Sequence, residues 1–133
     1  MAARVLLIED NPANLELATY LLETGGYEVI TAQDGEEGLA LLKQQKPDIV
    51  VTDLQMPVVD GYEVLRRLRQ DPALDAMPVV AVTAFSMSGD RVKVLRAGFD
   101  GYLSKPIVPE IFVSQIDAFL KAGRSSGPLP EGQ

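Results

Sequence analysis

Five side chains in this sequence have the types and spacing to do chemistry together. They are the neighbouring carboxylates Glu9 and Asp10, the aspartate that closes the run IVVTD at Asp53, the hydroxyl of Thr83 and the amine of Lys105. Carboxylic acids titrate near ~4 when unperturbed, so a group of three is charged at neutral pH. Such a group repels itself unless protons or a cation compensate. A hard divalent ion is the natural compensator. Mg²⁺ suits best, because it keeps several waters and takes one or two protein carboxylates plus phosphate oxygens. An ionised carboxylate is already a nucleophile and needs no general base, which matters in a chain without histidine. Phosphoryl transfer asks the protein mainly for alignment and for neutralisation of charge on the equatorial oxygens. A metal ion, the Lys105 ammonium and the Thr83 hydroxyl could each take one of those oxygens.

Residues so far apart in sequence meet only if the fold brings their elements to one edge. Short apolar runs stand at Val5 to Ile8, Glu28 to Ala32, Ile49 to Thr52 and Val79 to Thr83, with a shorter one around Tyr102 and Leu103. Those at VLLI, IVVT and VVAVT are continuous rather than alternating, as expected of strands covered on both faces. Between them lie segments of helical spacing, marked by Leu15, Ala18, Leu21 and Leu22, then Leu39 and Leu42, then Val64, Leu65 and Leu68. Phe112, Ile116, Phe119 and Leu120 form the clearest stripe. Asn11-Pro12 and Asp60-Gly61 suit helix starts, Gly25-Gly26 a helix exit, and Lys46-Pro47 the end of the second helix. Ser88 to Ala97 offers mainly Val92 and Leu95 to a core, which predicts the most loosely held helix.

Strands alternating with helices specify repeated βαβ units. The expected fold is therefore α/β, a five-stranded parallel sheet with helices on both sides. In such a sheet the ligand site lies beyond the carboxyl ends of the strands. Glu9 and Asp10 then end the first strand, Asp53 the third and Thr83 the fourth, and Lys105 follows the fifth. Asp53 is expected to emerge at the rim where its strand stops.

The chain has 133 residues, 47% hydrophobic and 23% charged, as expected of one globular domain. Its net charge of −7 opposes nucleic-acid binding. There is no cysteine, hence no disulfide or thiolate metal site. No apolar run reaches the ~18 residues that span a bilayer, and the start carries no signal-peptide pattern; residence in the cytoplasm is expected. The domain is assigned to residues 1–121, and 122–133, rich in Gly, Ser and Pro, to a flexible tail or severed linker. Neither G-x-G-x-x-G nor a P-loop motif is present.

The stretches LLIEDNPAN, VVTDLQMPVVDGYEV, PVVAVTAF and AGFDGYLSKPI, in this order and spacing, resemble the receiver domain of two-component response regulators, of the single-domain or hybrid-kinase type. The resemblance covers about Arg4 to Lys121. It implies a flavodoxin-like sheet of strand order 2-1-3-4-5, and Asp53 as phosphoacceptor, charged by a histidine kinase or histidine phosphotransfer protein and read by a downstream protein target. Mg²⁺ would be held by Asp10 directly, by Glu9 through water, by Asp53 and by the main-chain carbonyl of Gln55. Glu9 departs from the commoner paired aspartates. Thr83 and Tyr102 would switch together, Lys105 would face the phosphate, and the bond from Lys105 to Pro106 would be cis. Gln55 and Phe85 hold the positions that tune phosphate lifetime. No direct nucleic-acid contact or membrane insertion is implied, and the protein would be a monomer or a weak, phosphorylation-dependent dimer.

Simpler roles exist for each residue. Glu9 and Asp10 could cap the helix that begins at Pro12, Thr83 could be an ordinary strand end, and Tyr102 a half-buried aromatic. A helix cap or a turn does not account for three acids, a lysine and a hydroxyl at one edge. Two other functions compete. A phosphohydrolase with an aspartate nucleophile needs a second aspartate two residues on, where this chain has Gln55. A scaffold-type receiver would work without phosphorylation.

Overall fold

The three continuous apolar runs form the middle of the sheet. In the computed structural model, which describes residues 3–84 and 88–123, strands β1 (Arg4–Ile8), β3 (Ile49–Asp53) and β4 (Val79–Thr83) occupy its centre. Strands β2 (Glu28–Ala32) and β5 (Gly101–Ser104) lie at the edges, in the order β2-β1-β3-β4-β5, all parallel. Every residue of β3 and β4 is buried, whereas the edge strands are partly exposed. Continuous apolar runs are what central strands need, because both faces are covered.

The helices are α1 (Pro12–Thr24), α2 (Gly35–Gln45), α3 (Gly61–Leu68), α4 (Ser88–Ala97) and α5 (Pro109–Ala122). Successive strand residues point to opposite faces, and this divides one run between two cores. Leu6, Ile8, Val50 and Ala81 pack with Leu42, Leu65 and Val94, on the side of α2, α3 and α4. Val5, Leu7, Val51 and Val80 pack with Ala18, Leu22, Phe112 and Ile116, on the side of α1 and α5. Asn11, Asp34 and Asp60 cap α1, α2 and α3, each side chain accepting from a backbone N–H three residues on, at 3.1, 2.8 and 2.9 Å. Lys46 ends α2 at φ +48.

One expectation is corrected. In α4 the core residue is Val94, 1% exposed, while Val92 is 42% exposed. Only one face of this short helix meets the sheet, and Val94 occupies it. The neighbouring Phe99, 2% exposed, meets the Tyr62 ring edge-on at 5.7 Å between centroids, a core contact that helical spacing alone did not reveal. Helix α5 ends at Ala122, and residues 124–133 lie outside the described residues. So does Phe85.

Candidate functional site

The carboxyl ends of β1, β3 and β5 deliver four of the chemically able residues to one place. Glu9 follows β1, its N–H bonded to the Ala32 carbonyl at 3.0 Å. Its side chain is held at both oxygens: Oε2 accepts from the Asn11 N–H at 3.1 Å, and Oε1 lies 2.9 Å from Lys105 Nζ. Asp53 is the last residue of β3. Its Oδ1 accepts from the Gln55 N–H at 3.1 Å and its Oδ2 from Lys105 Nζ at 2.9 Å. Lys105 follows β5, its own N–H bonded to the Thr83 carbonyl at 2.7 Å, and the Lys105–Pro106 bond is cis. Oxygens of Glu9, Asp10 and Asp53 all lie within 4.8 Å of one another, with Asp10 exposed and the other two buried.

Burial departs from the sequence-based expectation. Asp53 does not emerge at the rim but is only 6% exposed, and Glu9 only 5%. Buried carboxylates need partners, and a single ammonium serves both. Burial raises the Glu9 carboxyl above its ordinary value and the nearby Asp53 charge adds to this; the Lys105 and Asn11 hydrogen bonds oppose without cancelling it. Burial pulls the Lys105 ammonium down, but its hydrogen bonds to Glu9 and Asp53 outweigh this and hold it above its ordinary value.

The loop after β3 is drawn tightly against the site. Gly61 donates its N–H to the Leu54 carbonyl at 3.0 Å, and a Cβ at Gly61 would lie 2.5 Å from the Asp53 carbonyl oxygen. Only glycine fits so close an approach. Thr83 ends β4 fully buried and lines, with Leu54, Gln55 and Met56, a cavity of about 520 Å³. Tyr102 is half-buried in β5 against the core on the side of α3 and α4.

The contact from Lys105 to Glu9 was missed by sequence reasoning, which aimed Lys105 at a phosphate alone. The clue was available in the charges: three acids at one edge call for a cation, and Lys105 follows the strand β5 that ends at that edge. The role of Gly61 was legible only as a helix start.

Residues 5–117 match the family described as Response regulator receiver domain. The chain belongs to this family. As a receiver domain it is 40% identical over 120 residues to the polar-differentiation response regulator DivK of Brucella anthropi, across 90% of this chain and 98% of that protein. Among solved structures it resembles a response regulator from Chloroflexus aurantiacus at TM-score 0.86 and 30% identity, covering 91% of this chain and 99% of that one. It also resembles the signal receiver domain of a histidine kinase from Syntrophus aciditrophicus at TM-score 0.82 and 29% identity, covering 99% and 100%. A third likeness is to the Vibrio cholerae chemotaxis protein CheY4, at TM-score 0.83 and 28% identity over 89% and 98%. These relatives are signalling proteins rather than metabolic enzymes, and Gln55 leaves the receiver without the second aspartate a phosphohydrolase would need. No described helix of the receiver is long and apolar enough to cross a membrane.

Proposed function

We propose that this receiver domain accepts a phosphoryl group on Asp53 from a phosphohistidine of a histidine kinase or phosphotransfer protein, and signals through a changed protein-binding surface. The observation that carries this is the convergence of Lys105 Nζ on Asp53 Oδ2 at 2.9 Å beside the three clustered carboxylates. An Asp53 oxygen attacks phosphorus, the P–N bond breaks, and its electron pair returns to the imidazole nitrogen, giving an aspartyl phosphate. Glu9, Asp10, Asp53 and the main-chain carbonyl of Gln55 fit a hard cation in charge and donor type, and would hold Mg²⁺, which neutralises charge on the phosphoryl oxygens when bound.

The chain's own residues supply the rest. The Gln55 N–H fixes the orientation of the Asp53 carboxylate, and Gly61 keeps the loop close enough for it to do so. Lys105 passes from the carboxylate to a phosphoryl oxygen, and Asn11 holds Glu9 in place meanwhile. The Thr83 hydroxyl takes another phosphoryl oxygen, and Tyr102 turns into the space Thr83 vacates. The face around α4, β5 and α5 then shifts between two conformations, by no more than the phosphate's differential contacts allow. The receiver spans residues 1–121, works in the cytoplasm, and is a monomer or a weak dimer formed on phosphorylation.

The test is an NMR titration of the whole chain with beryllofluoride and Mg²⁺, paired with pull-downs from treated and untreated protein. Shifts at Asp53, Thr83, Tyr102 and Lys105, with a partner retained only by the treated form, are expected. A partner bound equally in both states, with no shift at Thr83, would instead favour a scaffold that works without phosphorylation.

A further inference from the structure

The loop from Leu54 to Asp60 carries Gln55, whose N–H meets Asp53 Oδ1 at 3.1 Å, and it is held in an unfavourable shape. Val58 stands at φ +67, and the Val59 N–H bonds back to the Pro57 carbonyl at 2.8 Å, closing a tight three-residue turn. A β-branched residue rarely adopts this left-handed region. Burial does not compensate, since Val58 is 96% exposed. Such a conformation persists only where the surroundings impose it. Met56 and Val59, on either side of the turn, are both buried. Drawing these two inward pushes Val58 out.

Val59 rests on the first residue of α2. A Cβ at Gly35 would lie 2.5 Å from the Val59 carbonyl oxygen and 2.7 Å from its Cγ1, so helix and loop touch with no room for a methyl group. Helix α2 starts beside the site because β2 ends at the same edge, where the Ala32 carbonyl accepts from the Glu9 N–H at 3.0 Å. That start is firm. Asp34 Oδ1 accepts from the Glu37 N–H at 2.8 Å, and Glu37 Oε1 accepts from the Gln33 N–H at 2.7 Å, a reciprocal pair that fixes the first turn. Of the two surfaces in contact, the helix is the fastened one and the loop the strained one. Between Val59 and Gln55 the chain has little slack, because it holds the buried Met56, the Pro57 ring and the closed turn.

We infer that Gly35 is a positioning residue for the phosphoacceptor site: through Val59 it sets the path of the loop, and so the place of the Gln55 N–H and carbonyl relative to Asp53. Gly61 brings the end of the loop against its beginning, and Gly35 bears on it from α2. The consequence for phosphorylation rests on the reading of Asp53 as acceptor and of the Gln55 carbonyl as a metal ligand; the placement of Gln55 does not. A methyl group at Gly35 displaces Val59, and with it the one N–H described on Asp53 Oδ1.

The experiment sets two variants against matched controls, all as the full chain. Gly35→Ala is compared with Gly25→Ala, where the added Cβ meets Val113 Cγ1 at 2.7 Å at the carboxyl end of α1. Val59→Ala is compared with Val79→Ala, an equal deletion at the amino end of β4. NMR without metal reads the amide shift and hydrogen exchange of Gln55, a Mg²⁺ titration gives Kd, and phosphoramidate labels Asp53. In Gly35→Ala and Val59→Ala the Gln55 amide should shift and exchange faster, with Mg²⁺ bound about tenfold more weakly by Gly35→Ala and Asp53 labelled more slowly. In both controls these readouts should match the wild type, whatever the fall in thermal midpoint. A Gln55 amide unmoved in Gly35→Ala and Val59→Ala, or moved as far in the controls, would overturn the inference. If Gly35→Ala does not fold, Val59→Ala against Val79→Ala decides it. A wild type that neither binds Mg²⁺ nor takes label on Asp53 would overturn the proposed function instead, while the metal-free Gln55 amide still decides whether Gly35 places it.

Discussion

Replacing Lys105 with methionine keeps the apolar stem of the side chain and removes only the charge that Glu9 and Asp53 share. Each 2.9 Å contact carries about 6 kcal/mol of gross attraction at an effective dielectric of ~20. Desolvation of the groups takes back most of this, and losing one partner of a buried pair costs about 3–5 kcal/mol. The side chains are 17% exposed for Lys105 and 7% for each carboxylate, so the buried figure applies. For a domain of this size the loss corresponds to a fall of roughly 10–20 °C in thermal midpoint at neutral pH in chelator. Because the folded Lys105 titrates above its ordinary value, its stabilising contribution is present below 10.5 and is lost as pH rises through the folded value. Calorimetric melts of Lys105→Met and wild type, in EDTA and across a Mg²⁺ series, measure the effect. The divalent ion should stabilise the variant more than the wild type, since it replaces the missing cation. A fall of under ~3 °C in EDTA, or equal stabilisation of both proteins by Mg²⁺, would refute the shared-ammonium account.

Gly61→Ala would place its Cβ 2.5 Å from the Asp53 carbonyl oxygen and 2.9 Å from Leu54 Cα, both backbone, so the loop must shift. A loss of about 1–3 kcal/mol in urea unfolding and slower labelling of Asp53 are expected. Asp100, its side chain 1% exposed, accepts from Arg69 at 3.0 Å and from the Val79 N–H at 2.8 Å; Asp100→Ala should cost about 3–5 kcal/mol by the same assay. Arg66 and Arg67 hold the Glu63 carboxyl down at about 2. Its stabilising contribution is therefore present above 4.5 and lost as pH falls through about 2. Glu63→Gln should melt below wild type at neutral pH, with the difference vanishing in acid near that value.

The central strands were legible because burial on both faces demands continuous runs, and VLLI, IVVT and VVAVT are such runs. Strand ends located Asp53, Thr83 and Lys105, since a parallel sheet gathers its carboxyl ends on one edge. What stayed hidden depends on contacts between distant residues. Nothing near Asp100 announces Arg69, which lies thirty-one positions away and joins it only when β5 begins beside β4. The depth of Asp53 was misjudged because a charge is ordinarily placed at the surface, and only the proximity of Lys105 makes its burial affordable. In α4, Val92, Val94 and Leu95 are equally apolar, and one short helix gives too few turns to show which of them faces inward.

The central claim is that Asp53 is the phosphoryl acceptor of this cluster. Peptide mass mapping after treatment with phosphoramidate and Mg²⁺ tests it most directly. One phosphoryl group on Asp53, absent in EDTA and in Asp53→Asn, is the predicted result. Labelling that persists in Asp53→Asn, or that falls on another residue, would contradict it.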